Sequence, residues 1–111
     1  MQLDTSKHGD VTVVVLQTEV LDANNAKSFK QSIAPVLQDS LKVVFDMSQV
    51  KFVDSSGCGT LLSCLRQLNG LGGDLKLCCV QKPVRTLFEL VRMHRITDIF
   101  DAPEEAIRAF E

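Results

Sequence analysis

The fold of this chain is decided by the stretch Val53-Asp54-Ser55-Ser56-Gly57-Cys58-Gly59, a polar turn with two hydroxyls and two glycines between apolar segments. The apolar run before it, residues 42–46, predicts a strand, and apolar residues after it recur at helical spacing as far as Leu68. The helix is predicted to begin at about Ser56 or Gly57. Ser55 therefore falls just before a helix N-terminus, where a hydroxyl can cap the helix and a phosphate on it would lie in a favourable field.

On the N-terminal side, the sequence predicts a hairpin and a first helix. Strands at residues 2–6 and 11–16 flank the polar turn His8-Gly9-Asp10. Asp22 is predicted to cap the first helix, whose apolar face comprises Ala26, Phe29, Ile33, Val36 and Leu37. Pro35 lies inside that pattern and predicts a bend or a shortened last turn, because proline lacks a backbone donor.

On the C-terminal side, the sequence predicts a strand at residues 74–80, a third helix opened by Pro83, a short strand within residues 96–100 and a terminal helix opened by Pro103. The third helix has an apolar face of Val84, Leu87, Phe88, Leu90 and Val91. Strands that alternate with helices imply right-handed crossovers and parallel pairing. The prediction is one α/β domain over residues 1–111, a mixed, mostly parallel sheet with an N-terminal antiparallel edge hairpin and about four helices.

Composition and charge exclude several classes of function. The net charge is −2 and the basic residues are scattered among acids, so a nucleic-acid-binding surface is not expected. No apolar stretch approaches the roughly 20 residues that span a bilayer, and residues 1–8 lack the pattern of a secretory signal. We therefore expect a cytoplasmic protein that does not insert into membranes.

The four cysteines do not form a recognisable metal or disulfide motif. None belongs to a Cys-x-x-Cys pair, and the chain has only two histidines. Cys78 and Cys79 are neighbours in a predicted strand and are expected to point to opposite faces, whereas Cys58 and Cys64 fit a buried helix face. The sequence predicts reduced structural thiols and no metal site.

The aromatic residues and the basic cluster near the third helix also favour structural roles. Phe29, Phe45, Phe52 and Phe88 each fall on an apolar face and are predicted to lie in the core. His94 belongs to the cluster Arg92-Met93-His94-Arg95 and is predicted to mark a solvated helix end rather than to act as a catalytic base.

Four segments together carry a family resemblance. They are the approach to the first helix Glu19-Val20-Leu21-Asp22, the turn within residues 52–59, the Gly72-Gly73 turn before a strand, and the helix opening at residues 83–90. In this order the chain resembles a STAS domain, and in particular the stand-alone bacterial anti-sigma factor antagonists. The resemblance covers nearly the whole chain.

The resemblance implies a partner-switching regulator with no catalytic residues and no cofactor. In that family an anti-sigma factor that is also a serine kinase uses ATP to phosphorylate the first hydroxyl after the aspartate, and a PP2C-type phosphatase removes the phosphate. Transferred to this sequence, Ser55 is the phosphorylation site, and Asp22, Asp54, Ser55, Ser56 and Gly57 form the partner-binding surface. The unphosphorylated form would bind the kinase, and phosphorylation would release it.

One departure from the family concerns the first helix. Where many antagonists have Gly-Glu-Leu-Asp, this chain has Thr18-Glu19-Val20-Leu21-Asp22, without the glycine and one residue longer. Because this loop lies near the phosphorylation turn in the fold, the difference bears on which partner is bound.

Other interpretations stay open at this point. Ser55 or Ser56 can be an ordinary helix cap, and a capping serine can also accept a phosphate. A STAS domain can instead serve as a scaffold subunit of a transporter, a lipid-transport complex or a sensory assembly. Hydrolase chemistry is not expected, because residues 53–57 lack the leading glycine of a Gly-x-Ser-x-Gly nucleophile elbow.

Overall fold

The computed structural model describes all residues from Met1 to Glu111. The strands are β1 (Leu3–His8), β2 (Val11–Leu16), β3 (Val20–Leu21), β4 (Lys42–Asp46), β5 (Phe52–Val53), β6 (Asp74–Cys78) and β7 (Ile99–Phe100). The helices are α1 (Ala26–Asp39), α2 (Ser55–Gly70), α3 (Lys82–Leu90) and α4 (Pro103–Arg108), with a single 3-10 turn at Met93–Arg95. None of the four helices combines the length and the apolar character that crossing a bilayer requires.

Five strands form the main sheet, in the order β1-β2-β4-β6-β7. β1 pairs antiparallel with β2 at the edge, and every other pair in the sheet is parallel. The predicted fold class is confirmed in its mixed sheet, its edge hairpin and its four helices. The sequence did not predict a second, two-stranded sheet in which β3 pairs parallel with β5.

The two faces of the main sheet bury different residues. The alternation of β2 places Val14 and Leu16 in the large core, which α1, α2 and α3 cover. Val11 and Val13 point to the opposite face, where they pack in a smaller cluster with Ala106 of α4. In the large core the rings of Phe29 and Phe45 pack edge to face at 5.8 Å.

A buried lysine ties the C-terminal segment to the sheet. Lys76 on β6 is 6% exposed, and its Nζ donates to Asp98 at 3.0 Å and to Asp74 at 3.2 Å. The same Nζ lies 4.7 Å from the centre of the Phe110 ring. Burial by itself lowers the pKa of Lys76, but the hydrogen bonds and charges of the two aspartates outweigh it, so the pKa is raised.

α1 corrects two sequence predictions. Asp22 does not cap it, because three residues of turn follow Asp22 and the helix begins only at Ala26. Pro35 does not shorten it, and the helix runs on to Asp39. Since Pro35 and Gln31 are both exposed, water can hydrate the carbonyl that the proline leaves without a donor.

Three predicted core residues are instead exposed. Phe52 is 55% exposed because alternation along β5 turns Val53 into the core and Phe52 outward. Leu90 is 77% exposed and Val91 also lies at the surface, because α3 ends at Leu90 and its buried face consists of Val84 and Phe88.

The strand predicted at residues 74–80 is shorter than expected, and the two cysteines at its end are oriented differently from the prediction. β6 ends at Cys78, because Cys79 has a φ of +62° and leaves the extended conformation. The prediction that the two side chains point to opposite faces is therefore wrong, and their sulfurs lie 3.5 Å apart. All four cysteines are free thiols in the structure.

Candidate functional site at the Asp54 to Gly59 turn

The turn between β5 and α2 is capped by Asp54. The backbone of Asp54 is extended, and its Oδ1 accepts a hydrogen bond from the backbone N–H of Gly57 at 2.9 Å. A helix N-cap side chain accepts in this way from the backbone N–H three residues further along the chain. The prediction that Ser55 or Ser56 caps the helix is wrong, since α2 already begins at Ser55.

Ser55 and Ser56 are the first two residues of α2, and both are exposed. Neither hydroxyl hydrogen-bonds to another residue, although the backbone carbonyl of Ser56 accepts from the Thr60 hydroxyl at 3.0 Å. Because Asp54 satisfies the helix end, the Ser55 hydroxyl has no structural partner and is open to another protein.

The loop before α1 is held against this turn by the small sheet. Leu21 of β3 pairs with Val53 of β5, and the Leu21 carbonyl accepts from the backbone N–H of Asp54 at 3.2 Å. The second carboxylate oxygen of Asp54 accepts from the backbone N–H of Ala23 at 3.3 Å. The structure thereby brings Asp22, which lies between Leu21 and Ala23, to the same end of the molecule as Asp54 and Ser55.

Asp22 stabilises its own loop. Its Oδ1 accepts from the backbone N–H of Asn24 at 2.9 Å, and its backbone N–H donates to Oδ1 of Asn25 at 2.9 Å. The Asn25 amide also donates to the Val20 carbonyl at 2.7 Å. Sequence reasoning missed this role of Asn25, although the Asp22-Ala23-Asn24-Asn25 run is typical of a turn.

Gly57 is required by close packing inside the protein. A Cβ at this position would overlap the carbonyl oxygen of Leu21 and approach Cγ1 of Val53 to 2.8 Å. The missing side chain therefore lets α2 press against the β3 backbone. Gly59 differs, because a Cβ there would meet nothing within 4 Å.

The helical surface beside the turn is positively charged. α2 contains no acidic residue, and the only one in α1 is Asp39 at its C-terminal end. The chain as a whole, by contrast, has a net charge of −2. Lys27 and Lys30 are exposed and line an open groove of about 560 Å³ between the two helices. Ser56 lines the same groove, so this basic groove adjoins the turn.

Cys58 provides no nucleophile at this turn. Burial, and then the negative charge of Asp54, raise the pKa of its thiol. The thiol therefore stays protonated near neutral pH. The turn therefore presents two exposed serine hydroxyls and a buried, protonated thiol.

Comparison with known proteins places this geometry in a family context. A family model described as the STAS domain matches residues 2–106. The chain is 26% identical over its whole length to the anti-sigma F factor antagonist of Paenibacillus polymyxa, of which it covers 96%.

Two solved structures share the fold. The crystal structure of an anti-sigma factor antagonist from Mycobacterium paratuberculosis matches with a TM-score of 0.86 at 23% identity, over 97% of this chain and 92% of that one. The Bacillus cell fate determinant SpoIIAA in its phosphorylated form matches with a TM-score of 0.72 at 19% identity, over 99% of this chain and 100% of that one.

Proposed function

The chain belongs to the STAS domain family, and we propose that it is an anti-sigma factor antagonist that works by partner switching. Its unphosphorylated form binds an anti-sigma factor that is also a serine kinase, phosphorylation of Ser55 releases that kinase, and a PP2C-type phosphatase restores binding. The observation that carries the proposal is the exposed Ser55 hydroxyl, which has no structural partner at the start of α2. The name of the Paenibacillus relative and the phosphorylated state of the Bacillus structure support it.

Phosphorylation at Ser55 switches binding without refolding the domain. A phosphoserine carries about −1.5 to −2 charges at neutral pH, and Ser55 is exposed, so the fold accommodates the group. At a close-packed interface the same charge adds to that of Asp54 and exceeds what partner groups arranged around an unmodified serine compensate. Such a buried charge costs about 2 to 5 kcal/mol, which weakens binding by roughly thirtyfold to several thousandfold.

The partner-binding surface consists of Asp22, Asp54, Ser55, Ser56 and Gly57, extended by the basic groove. The two carboxylates suit cationic side chains of the kinase, whereas Lys27 and Lys30 suit acidic ones. Gly57 contributes by holding α2 against the loop of Asp22 rather than by leaving space for the partner. This alternation of charge fixes the orientation of the partner across the turn.

In this role the protein is a cytoplasmic regulator that catalyses no reaction of its own. The protein needs no cofactor, since ATP is a substrate of the kinase. The downstream effect is release of the sigma factor that the kinase otherwise holds.

The test uses a candidate cognate kinase with ATP and intact-mass spectrometry. We expect one added phosphate on the wild type and on Ser56→Ala, which is the matched control one residue along the helix, and none on Ser55→Ala. We expect Ser55→Asp to bind the kinase at least roughly thirtyfold more weakly than Ser55→Ala. Unchanged phosphorylation of Ser55→Ala would falsify the assignment of Ser55.

The scaffold interpretation predicts a different result. A STAS subunit that serves only for docking binds its assembly equally well as Ser55→Ala and as Ser55→Asp. Equal binding of both variants to a co-purified complex, with no phosphate on the wild type, would replace partner switching by the scaffold role.

A further inference from the structure

Three side chains that bind metals in proteins meet at the carboxyl ends of two neighbouring parallel strands. Asp46 ends β4 and Cys78 ends β6, and the two residues are paired in register. Together with Cys79 they offer three ligand atoms that all lie within 4.8 Å of one another. Carboxyl ends of parallel strands are the usual place for functional groups in α/β sheets.

All three side chains lie on the face of the sheet that α4 covers. Cys78 packs with Val44 and Ala106 in the smaller core cluster, and alternation along β4 turns Asp46 to the same face as Val44. Cys79 would point away if the strand continued. Its φ of +62° turns the chain instead, so Cys79 packs against that same cluster.

The sulfur positions suit a shared ion better than a disulfide bond. The two sulfurs lie 3.5 Å apart. Two thiolates on a tetrahedral zinc ion, each at about 2.3 Å, lie about 3.8 Å from each other, whereas disulfide formation needs an approach to about 2.05 Å. The sequence predicts no metal site because the chain has no Cys-x-x-Cys pair and only two histidines, and because Cys78 and Cys79 are expected on opposite faces. The structure removes the last of these reasons.

Asp46 is oriented for the role of third ligand. Its Oδ1 accepts a hydrogen bond from the backbone N–H of Ser48 at 2.9 Å, which fixes the carboxylate at the end of β4. Hydrogen bonds of this kind orient ligands in known metal sites. The carboxylate and Cys79 are both partly exposed, so an ion reaches the buried Cys78 from their side.

We infer that Asp46, Cys78 and Cys79 form a binding site for a thiophilic divalent cation of the zinc class. Two thiolates and one carboxylate favour such ions over magnesium and calcium, which prefer oxygen ligands alone. Each thiol releases its proton to solvent as its metal–sulfur bond forms. A tetrahedral ion held in this way keeps its fourth position for water or another exchangeable ligand.

The test titrates the full-length, reduced protein with Co²⁺ and then with Zn²⁺. We expect a thiolate-to-cobalt charge-transfer absorption that saturates with equimolar Co²⁺ and disappears when Zn²⁺ is added. Cys79→Ala and Asp46→Asn should each weaken Co²⁺ binding at least about tenfold. Cys58→Ala and Asp39→Asn, which remove a thiol and a carboxylate elsewhere, should bind Co²⁺ like the wild type.

Circular dichroism of each variant establishes that it is folded before titration. Cys78 is completely buried, so its replacement risks unfolding, and the partly exposed Cys79 and Asp46 carry the test. Absence of the charge-transfer band in the folded, reduced wild type would overturn the inference, as would an unchanged band in Cys79→Ala. The result is independent of Ser55, because Ser55→Ala should bind Co²⁺ normally whether or not partner switching is correct.

Discussion

Replacing Asp54 by alanine removes the side chain that joins α2 to the loop before α1. The lost contacts are the cap on the Gly57 N–H at 2.9 Å and the longer contact with the Ala23 N–H at 3.3 Å. Loss of an aspartate cap costs about 0.5 to 2 kcal/mol. Ala23 is exposed, so water replaces the second contact and adds little to the cost. We therefore expect Asp54→Ala to lower the free energy of unfolding by about 1.5 kcal/mol.

The expected shift in melting temperature follows from the size of the domain. Unfolding of 111 residues has an entropy of about 0.23 kcal/mol per kelvin. A loss of about 1.5 kcal/mol then lowers Tm by about 6 °C. Asp54→Asn keeps an oxygen acceptor and loses only the charge at the helix N-terminus, which contributes about 0.3 to 1 kcal/mol, so its Tm should fall by about 3 °C.

The assay is thermal and urea unfolding followed by circular dichroism. Ser55→Ala and Ser56→Ala are the controls, and each should stay within about 0.5 kcal/mol of the wild type, because neither hydroxyl has a partner in the protein. A Ser55→Ala variant that lost as much stability as Asp54→Ala would identify the serine as the cap and refute this reasoning.

Three further predictions concern packing, pH dependence and charge. Gly57→Ala should lose about 1 to 3 kcal/mol because its Cβ overlaps the β3 backbone, whereas the open Gly59→Ala should gain up to about 1 kcal/mol, both measured by urea unfolding. Because the pKa of Lys76 is raised on folding, its contribution to stability is full below about pH 10 and is lost as the pH rises through the raised value. Unfolding curves at increasing alkaline pH should show that fall in the wild type and a smaller one in Lys76→Met. Lys27→Glu should slow association with the proposed kinase about tenfold at low salt, as measured by stopped-flow mixing. Arg108→Glu, on the opposite face of the sheet, should associate like the wild type. If Lys27→Glu associated as fast as the wild type, the basic groove would not be part of the interface.

The order of strands and helices could be predicted because each long element repeats its apolar residues with the period of a strand or a helix. The sheet of β3 and β5 could not, since each strand has only two residues and no period to detect. Phe52 is predicted to lie in the core because it falls within an apolar run, and a two-residue strand offers no alternation that would show otherwise. Without the pairing of β5, nothing in the sequence showed that alternation would turn Phe52 outward.

Local backbone conformation limited what could be predicted at the start of α2 and at the two adjacent cysteines. Asp54, Ser55 and Ser56 are all good capping residues, so the sequence located the turn within a residue but not the residue that caps it. The left-handed conformation of Cys79 is uncommon for a residue with a side chain, and no sequence pattern indicated it. That single dihedral angle decides whether the two thiols separate or meet.

The division of roles between Asp54 and Ser55 explains how the proposed phosphorylation site can lie at a helix start that the fold depends on. If the serine were the cap, its phosphorylation would change the stability of α2 and the affinity for a partner together. Because the Asp54 carboxylate caps the helix, phosphorylation of Ser55 as proposed leaves this cap intact. It follows that the change in affinity measured with Ser55 variants contains no cost of a lost cap. Binding measured with Asp54 variants also contains the cost of the lost cap, and has to be compared at equal fractions of folded protein before any direct contact with a partner is inferred.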